Sequence, residues 1–185
     1  MSAKSESTIE DLYNVEGKAE LVNGEVVLMS PTGGLPAYAA RKIVNSLSEY
    51  EQRTKSGYAF ADNVGFKVDL PNRGSFSPDA AFYIGNLQMG FLEGAPIFAV
   101  EVRSENDYGK PAEKRILKKR ADYFSAGTQV VWDVDLLSDD VVRVYRAGDA
   151  GNPKIYRRGE QAEAEPAVPG WVMPVDDLFV KERAQ

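Results

Sequence analysis

The chain has 185 residues and a net charge of −6, and it contains neither cysteine nor histidine. The first absence excludes disulfides and thiolate chemistry; the second excludes Ser-His and Cys-His catalysis, HNH-type nuclease chemistry and the usual zinc sites. Any metal must therefore be held by carboxylate and carbonyl oxygens, which favours Mg²⁺, Mn²⁺ or Ca²⁺.

The length suits one domain over residues 1–185 with a sizeable core. The mild acidity favours solubility and opposes non-specific binding to nucleic acid. The opening "MSAKSESTIE" is polar and no apolar segment follows it, so a signal peptide is not expected. No apolar run approaches membrane-spanning length, and the expected location is the cytoplasm.

In chain order, Ser7 to Tyr13 reads as a short helix capped by Ser7 or Thr8, with Glu10 and Asp11 in its first turn. "KAELVNGEVVLMSPTGG" reads as a hairpin around Asn23-Gly24, a pair suited to a type I′ turn. From Pro36 to Lys55 the period becomes helical, with Ala40, Ile43, Val44, Leu47 and Tyr50 on one side and Gly57 as the stop. "YAFADNVGFKVDLP" suggests two short strands with Asn63 near a turn. Strands are then expected at Ser77–Ile84 and Ile97–Val102, and a helix from Lys110 to Ala126 closed by Gly127. "TQVVWDVD" and "VVRVYR" read as two more strands, with Trp132 and Tyr145 as core or interface rather than base-stacking platforms and Asp133, Asp135, Asp139 and Asp140 as solvated turn residues. The stretch 148–185 is expected to be an irregular C-terminal extension with room for one further hairpin. Together these elements predict an α/β fold, a mixed central sheet flanked by helices.

Charged residues at the ends of buried strands need a reason. Asp79 follows Pro78 where an apolar strand begins, and Glu101 and Arg103 share one face at the end of "IFAV". A carboxylate there is costly unless it is paired or holds a metal. If the two strands are neighbours, Asp79 and Glu101 meet at one point. On the second helix Ile116, Leu117, Tyr123 and Phe124 form an apolar stripe, with Lys119 on its shoulder and Lys110, Lys114 and Lys118 facing water. Arg120 falls within the stripe and Glu113 close to the same line, where the two could pair. Glu20 stands before the hairpin turn among apolar neighbours.

"AELVNGEVVLMSPTG", "SPDAAF", "FAVEVRSEND", "KKRADYFSAGTQVVWDVD" and "VVRVYR", in this order and spacing, resemble the Uma2 family of restriction-endonuclease-like proteins, within the PD-(D/E)xK nuclease superfamily. The resemblance runs from about Glu20 to Arg146. It implies a restriction-endonuclease-like sheet and Mg²⁺-dependent or Mn²⁺-dependent hydrolysis of phosphodiester bonds in DNA. Asp79 and Glu101 match the motif acids, Glu20 matches the acid of the N-terminal Glu-Leu segment, and the Val102 carbonyl is implied as a further metal ligand. The motif lysine is replaced by Arg103, and Lys119 on the following helix matches the lysine thought to substitute for it. Arginine cannot give up a proton as lysine can, but it can steer a phosphate or offset developing charge. The histidine that many relatives carry after the Ser-Pro segment is absent. A homodimer is implied, with "VVRVYR" and the tail as its interface. Two other readings compete: a catalytically silent nuclease-fold binding module, and a metal-dependent phosphoesterase for a small substrate.

Overall fold

The computed structural model describes residues 6–181, so the start of the polar N-terminal stretch and the last residues of the C-terminal extension lie outside the described residues. The chain begins with helix α1 (Ile9–Leu12), the hairpin β1 (Ala19–Val22) and β2 (Glu25–Leu28), and the long helix α2 (Gly34–Thr54). Strands β3 (Tyr58–Ala61), β4 (Phe66–Leu70), β5 (Arg73–Phe76), β6 (Ala80–Tyr83), β7 (Leu92–Glu93) and β8 (Phe98–Val102) follow. Helix α3 (Lys110–Ser125) leads to β9 (Val130–Val134), β10 (Val142–Arg146), β11 (Asp149–Tyr156), β12 (Gln161–Glu163) and β13 (Val172–Pro174), and a 3-10 turn spans Val175–Leu178.

Six strands form the central sheet in the order β11-β10-β9-β8-β6-β3. The β8–β9 pair is parallel and its neighbours are antiparallel, so the sheet is mixed. A parallel step needs a crossover, and α3 supplies it. A five-stranded sheet, β2-β1-β5-β4-β7, lies apart from it in hydrogen bonding.

Alternation along β8 divides the core. Phe98, Val100 and Val102 face Ile43 and Leu47 of α2, together with Trp132 of β9. Ala99 and Val131 face the other way, toward Phe66, Phe76 and Leu92 of the second sheet and Tyr123 of α3. The Phe76 and Tyr123 rings stack with centroids 4.0 Å apart, which ties α3 to β5.

Local chemistry explains most boundaries. Asn23 and Gly24 have φ of 51° and 70°, the left-handed pair that a type I′ turn demands. Helix α2 ends on Lys55 in the left-handed region, not on Gly57. Gly57 serves a close approach instead: a Cβ there would meet the Tyr83 carbonyl oxygen at 2.6 Å.

Several expectations are corrected. The strand expected from Ser77 begins only at Ala80, as β6 of the central sheet; β5 ends at Phe76 in the other sheet, and Ser77–Asp79 crosses between them. Proline has no amide to continue a ladder, so Pro78 suits this crossing. Leu117, placed in the apolar stripe of α3, is exposed. Asp133 and Asp135 are buried rather than solvated, because Arg103 and Tyr108 respectively bond to them. Glu113 pairs with Arg103, not Arg120, and the Arg120 guanidinium lies over the Tyr145 ring at 3.5 Å. Residues 149–181 are built into the fold rather than irregular: β11 pairs with β10 in the main sheet, β12 pairs with β13 in a small sheet of their own, and Val168, Trp171, Met173 and Leu178 join the α2-side cluster. Strand β10 is therefore bonded on both edges and offers no free edge for a dimer.

Candidate functional site

The end of β8 and the start of β6 carry the central carboxylates. Ala80 pairs with Val100, and the Asp79 amide donates to the Val100 carbonyl at 3.0 Å. Asp79 is the bend residue just outside this ladder, and its charge acts directly on Glu101, so the two carboxylates lie close together at the strand ends. The Val102 amide donates to Asp79 Oδ2 at 2.8 Å and fixes that carboxylate across the two strand ends. Lys18, just before β1, reaches Asp79 Oδ1 at 2.8 Å and Asp62 Oδ1 at 2.6 Å. Burial works against the Lys18 charge, but Asp79 and Glu101 outweigh it and hold the ammonium well above its ordinary pKa.

Lys119 is the hinge of the cluster. Its Nζ lies 2.8 Å from Glu101 Oε1 and 2.9 Å from Glu20 Oε1. One helical turn on, the Tyr123 hydroxyl donates to the same Glu101 Oε1 at 2.6 Å. Burial and the Glu101 charge raise the Tyr123 pKa far enough to keep the phenol a neutral donor. Burial also raises the Glu101 carboxyl; Lys119 opposes the rise, Asp79 and Glu20 add to it, and the net direction is upward. Glu101 Oε2 has no hydrogen-bond partner among the described residues, and its side chain is 27% exposed.

Glu20 is the most deeply buried acid of the group, with 2% exposure. Its Oε1 accepts from the Ser77 amide at 2.9 Å, and its Oε2 meets Arg73 Nη1 at 2.7 Å. Burial raises its carboxyl, but Lys119 and Arg73 outweigh that and hold it below the ordinary range. Arg73 in turn donates through Nε to Asp122 on α3 at 2.9 Å. The chain Asp122–Arg73–Glu20–Lys119–Glu101 thus alternates in charge and links α3, β5, β1 and β8.

The structure joins Glu20, Lys119 and Glu101 in one network and sets Asp79 close to Glu101, held by Lys18 and by the Val102 amide. It places Arg103 elsewhere. Arg103 Nε and Nη2 bond to Asp133 at 2.7 and 2.8 Å, Nη2 reaches Glu113 Oε2 at 3.1 Å, and Nη1 also meets Glu113. A guanidinium bound in this fork on β9 and α3 is committed to holding the end of β8. Lys18, Asp62, Arg73, Asp122 and Tyr123 are the partners that sequence reading missed. Tyr123 had a signal, since it follows Lys119 at the i+4 spacing; Lys18 stands two residues before Glu20, the spacing of one strand face.

The donors suit a hard cation in chemistry, being carboxylate and backbone oxygens. Among the described residues, no three acidic side chains converge as ligands of one ion. Glu20 is unsuited because it is the most deeply buried of these acids and is held from three sides by the Ser77 amide, Arg73 and Lys119. Asp79 and Glu101 remain, and two carboxylates with water and substrate oxygens are the usual holding of Mg²⁺. The buried Ser77 Oγ, next to Pro78-Asp79, has no hydrogen-bond partner among the described residues, as a site completed by water or ligand would leave it.

A mixed sheet with helices on its faces, carrying an acid on each of two neighbouring strand ends and a lysine on the crossover helix, is a restriction-endonuclease-like α/β fold. The family model described as "Putative restriction endonuclease" matches residues 7–176, and the chain belongs to this Uma2 family. Among solved structures, the chain is similar to "a putative nuclease belonging to DUF820" from Anabaena variabilis, with a TM-score of 0.72 and 16% identity over 93% of this chain and 97% of that one. At that identity the likeness is one of fold. The comparison with curated proteins found no match. Among the described residues no helix is long and apolar enough to cross a membrane.

Proposed function

We propose that the protein is a metal-dependent endonuclease that hydrolyses phosphodiester bonds in DNA. The observation that carries this reading is the Asp79–Val102 bond, which sets Asp79 beside Glu101 while Lys119 stands on Glu101. Asp79 and Glu101 would hold Mg²⁺ or Mn²⁺, with the Val102 carbonyl as a further ligand; the bound ion would polarise the scissile phosphate and make a water more acidic. Lys119 keeps its positive charge at Glu101 and offsets negative charge that develops on the phosphate oxygens. Tyr123 holds the Glu101 carboxylate in one orientation. Glu20 and Arg73 brace Lys119 from behind, and Arg103 secures the strand end rather than touching the phosphate. Preorganised charges of this kind need no rearrangement during the reaction.

A second reading is favoured by one feature: a lysine stands on each of Asp79 and Glu101, which suits a silent binding module of the same fold. Plasmid nicking with Mg²⁺ and with Mn²⁺, in wild type and Asp79→Ala, separates the two. Metal-dependent nicking that the variant loses supports the nuclease. Duplex binding without nicking in either metal supports the module. A homodimer would match the two strands of a duplex, and sedimentation with and without duplex DNA measures it.

A further inference from the structure

Asp79 has two oxygens with different fates. Oδ2 is fixed by the Val102 amide at 2.8 Å, so Oδ1 is the oxygen left for a cation, and Lys18 stands on it at 2.8 Å. The same ammonium bonds to Asp62 at 2.6 Å. Lys18 and Asp79 are largely enclosed, at 14% and 12% exposure, whereas Asp62 is 45% exposed. Asp62 sits in the turn between β3 and β4, and its Oδ1 also accepts the Asn63 amide at 2.8 Å, which steadies its carboxylate beside the lysine.

Resting on the metal-dependent reading above, we propose that Lys18 is a two-station positioning residue. It neutralises Asp79 when no cation is bound, and it moves wholly onto Asp62 when a divalent cation takes Oδ1. An ammonium and a divalent ion cannot share one carboxylate oxygen without strong repulsion, so the cation must displace the lysine. Asp62 gives the displaced charge a partner already within bonding distance. The lysine therefore sets the metal affinity of the site and keeps Asp79 aimed into it between turnovers.

The test is calorimetric titration of Mn²⁺ into the full chain as wild type, Lys18→Met, Asp62→Asn and the double variant, each first checked for a cooperative melt. Lys18→Gln stands in if the methionine variant does not fold. Lys18→Met should bind Mn²⁺ at least about tenfold more tightly, since a charge contact near a protein surface exceeds the about 1.4 kcal/mol that tenfold represents. Asp62→Asn should weaken binding several-fold, because the lysine then has Asp79 alone. In the Lys18→Met background Asp62→Asn should have no further effect. An unchanged or weaker affinity in Lys18→Met overturns the proposal while wild-type binding keeps the metal reading. Equal effects of Asp62→Asn in both backgrounds also overturn it, since through-space charge alone would then suffice. Absence of Mn²⁺ binding in all four proteins overturns the metal reading and this inference together.

Discussion

Lys119 Nζ lies 2.8 Å from Glu101 Oε1, and this contact joins the crossover helix to the acid at the end of β8. The side chain is 15% exposed and also bonds to Glu20, so its position is set by two acids rather than by the helix alone. Lys119→Met is expected to lower the single-turnover nicking rate by about 10²–10³, the scale of losing one preorganised charge at a transition state. Mn²⁺ affinity should not fall, because a competing cation has been removed from Glu101. Nicking rates and calorimetry on the same preparations check both halves.

Tyr123 combines a ring stacked on Phe76 with a hydroxyl donated to Glu101. Tyr123→Phe keeps the stack and deletes one bond to a carboxylate, a loss of about 1.5–3 kcal/mol in stability. It should also act on pH dependence. The Glu101 carboxyl already titrates above its ordinary 4.5, and a hydrogen bond to the ionised form holds it down. Without that bond its pKa rises further, so the acid limb of the nicking rate should move to higher pH. A limb that stays in place would show that Glu101 ionisation does not govern the rate.

Glu20 is the buried acid between two cations. Glu20→Gln leaves Arg73 and Lys119 without their shared counter-charge, and breaking a buried pair in this way costs about 3–5 kcal/mol. The sign of the pH effect follows from the lowered carboxyl. Its stabilisation is complete above the ordinary value of 4.5 and is lost as pH falls through the lowered native value. Denaturant melts of wild type should weaken over that acid range, and the variant should lack that component.

Arg103→Lys separates structure from chemistry. The fork of Arg103 on Asp133 cannot be matched by an ammonium, and Asp133 is buried. A loss of about 1–3 kcal/mol in unfolding free energy is expected, on the scale of a charged hydrogen bond. Nicking at a temperature where both proteins are folded, and Mn²⁺ affinity, should stay near wild type. A rate loss of the size predicted for Lys119→Met would place Arg103 at the phosphate.

The opening hairpin, α2, α3 and the strands at 98–102, 130–134 and 142–146 were legible because each depends on local signals: a type I′ turn pair, helical periodicity or runs of β-branched residues. So were Asp79 and Glu101, because a charge at the end of an apolar strand stands out against its neighbours. Strand β5 and its place in the second sheet were not legible, since which sheet a strand joins is decided by the pairings available after collapse. The role of 148–181 was hidden for the same reason: Trp171 and Leu178 are short-range features until α2 and β9 give them a surface.

The sequence by itself determined an α/β chain with no histidine or cysteine chemistry, an acid at each of two strand ends, and a lysine on the shoulder of the crossover helix. Only the tertiary structure decided which charges meet. Lys18 and Asp62, Arg73 and Glu20, and Arg103 and Asp133 are far apart in the chain or on different elements. Composition and period give a side chain's face; they do not give the opposite charge that burial forces upon it.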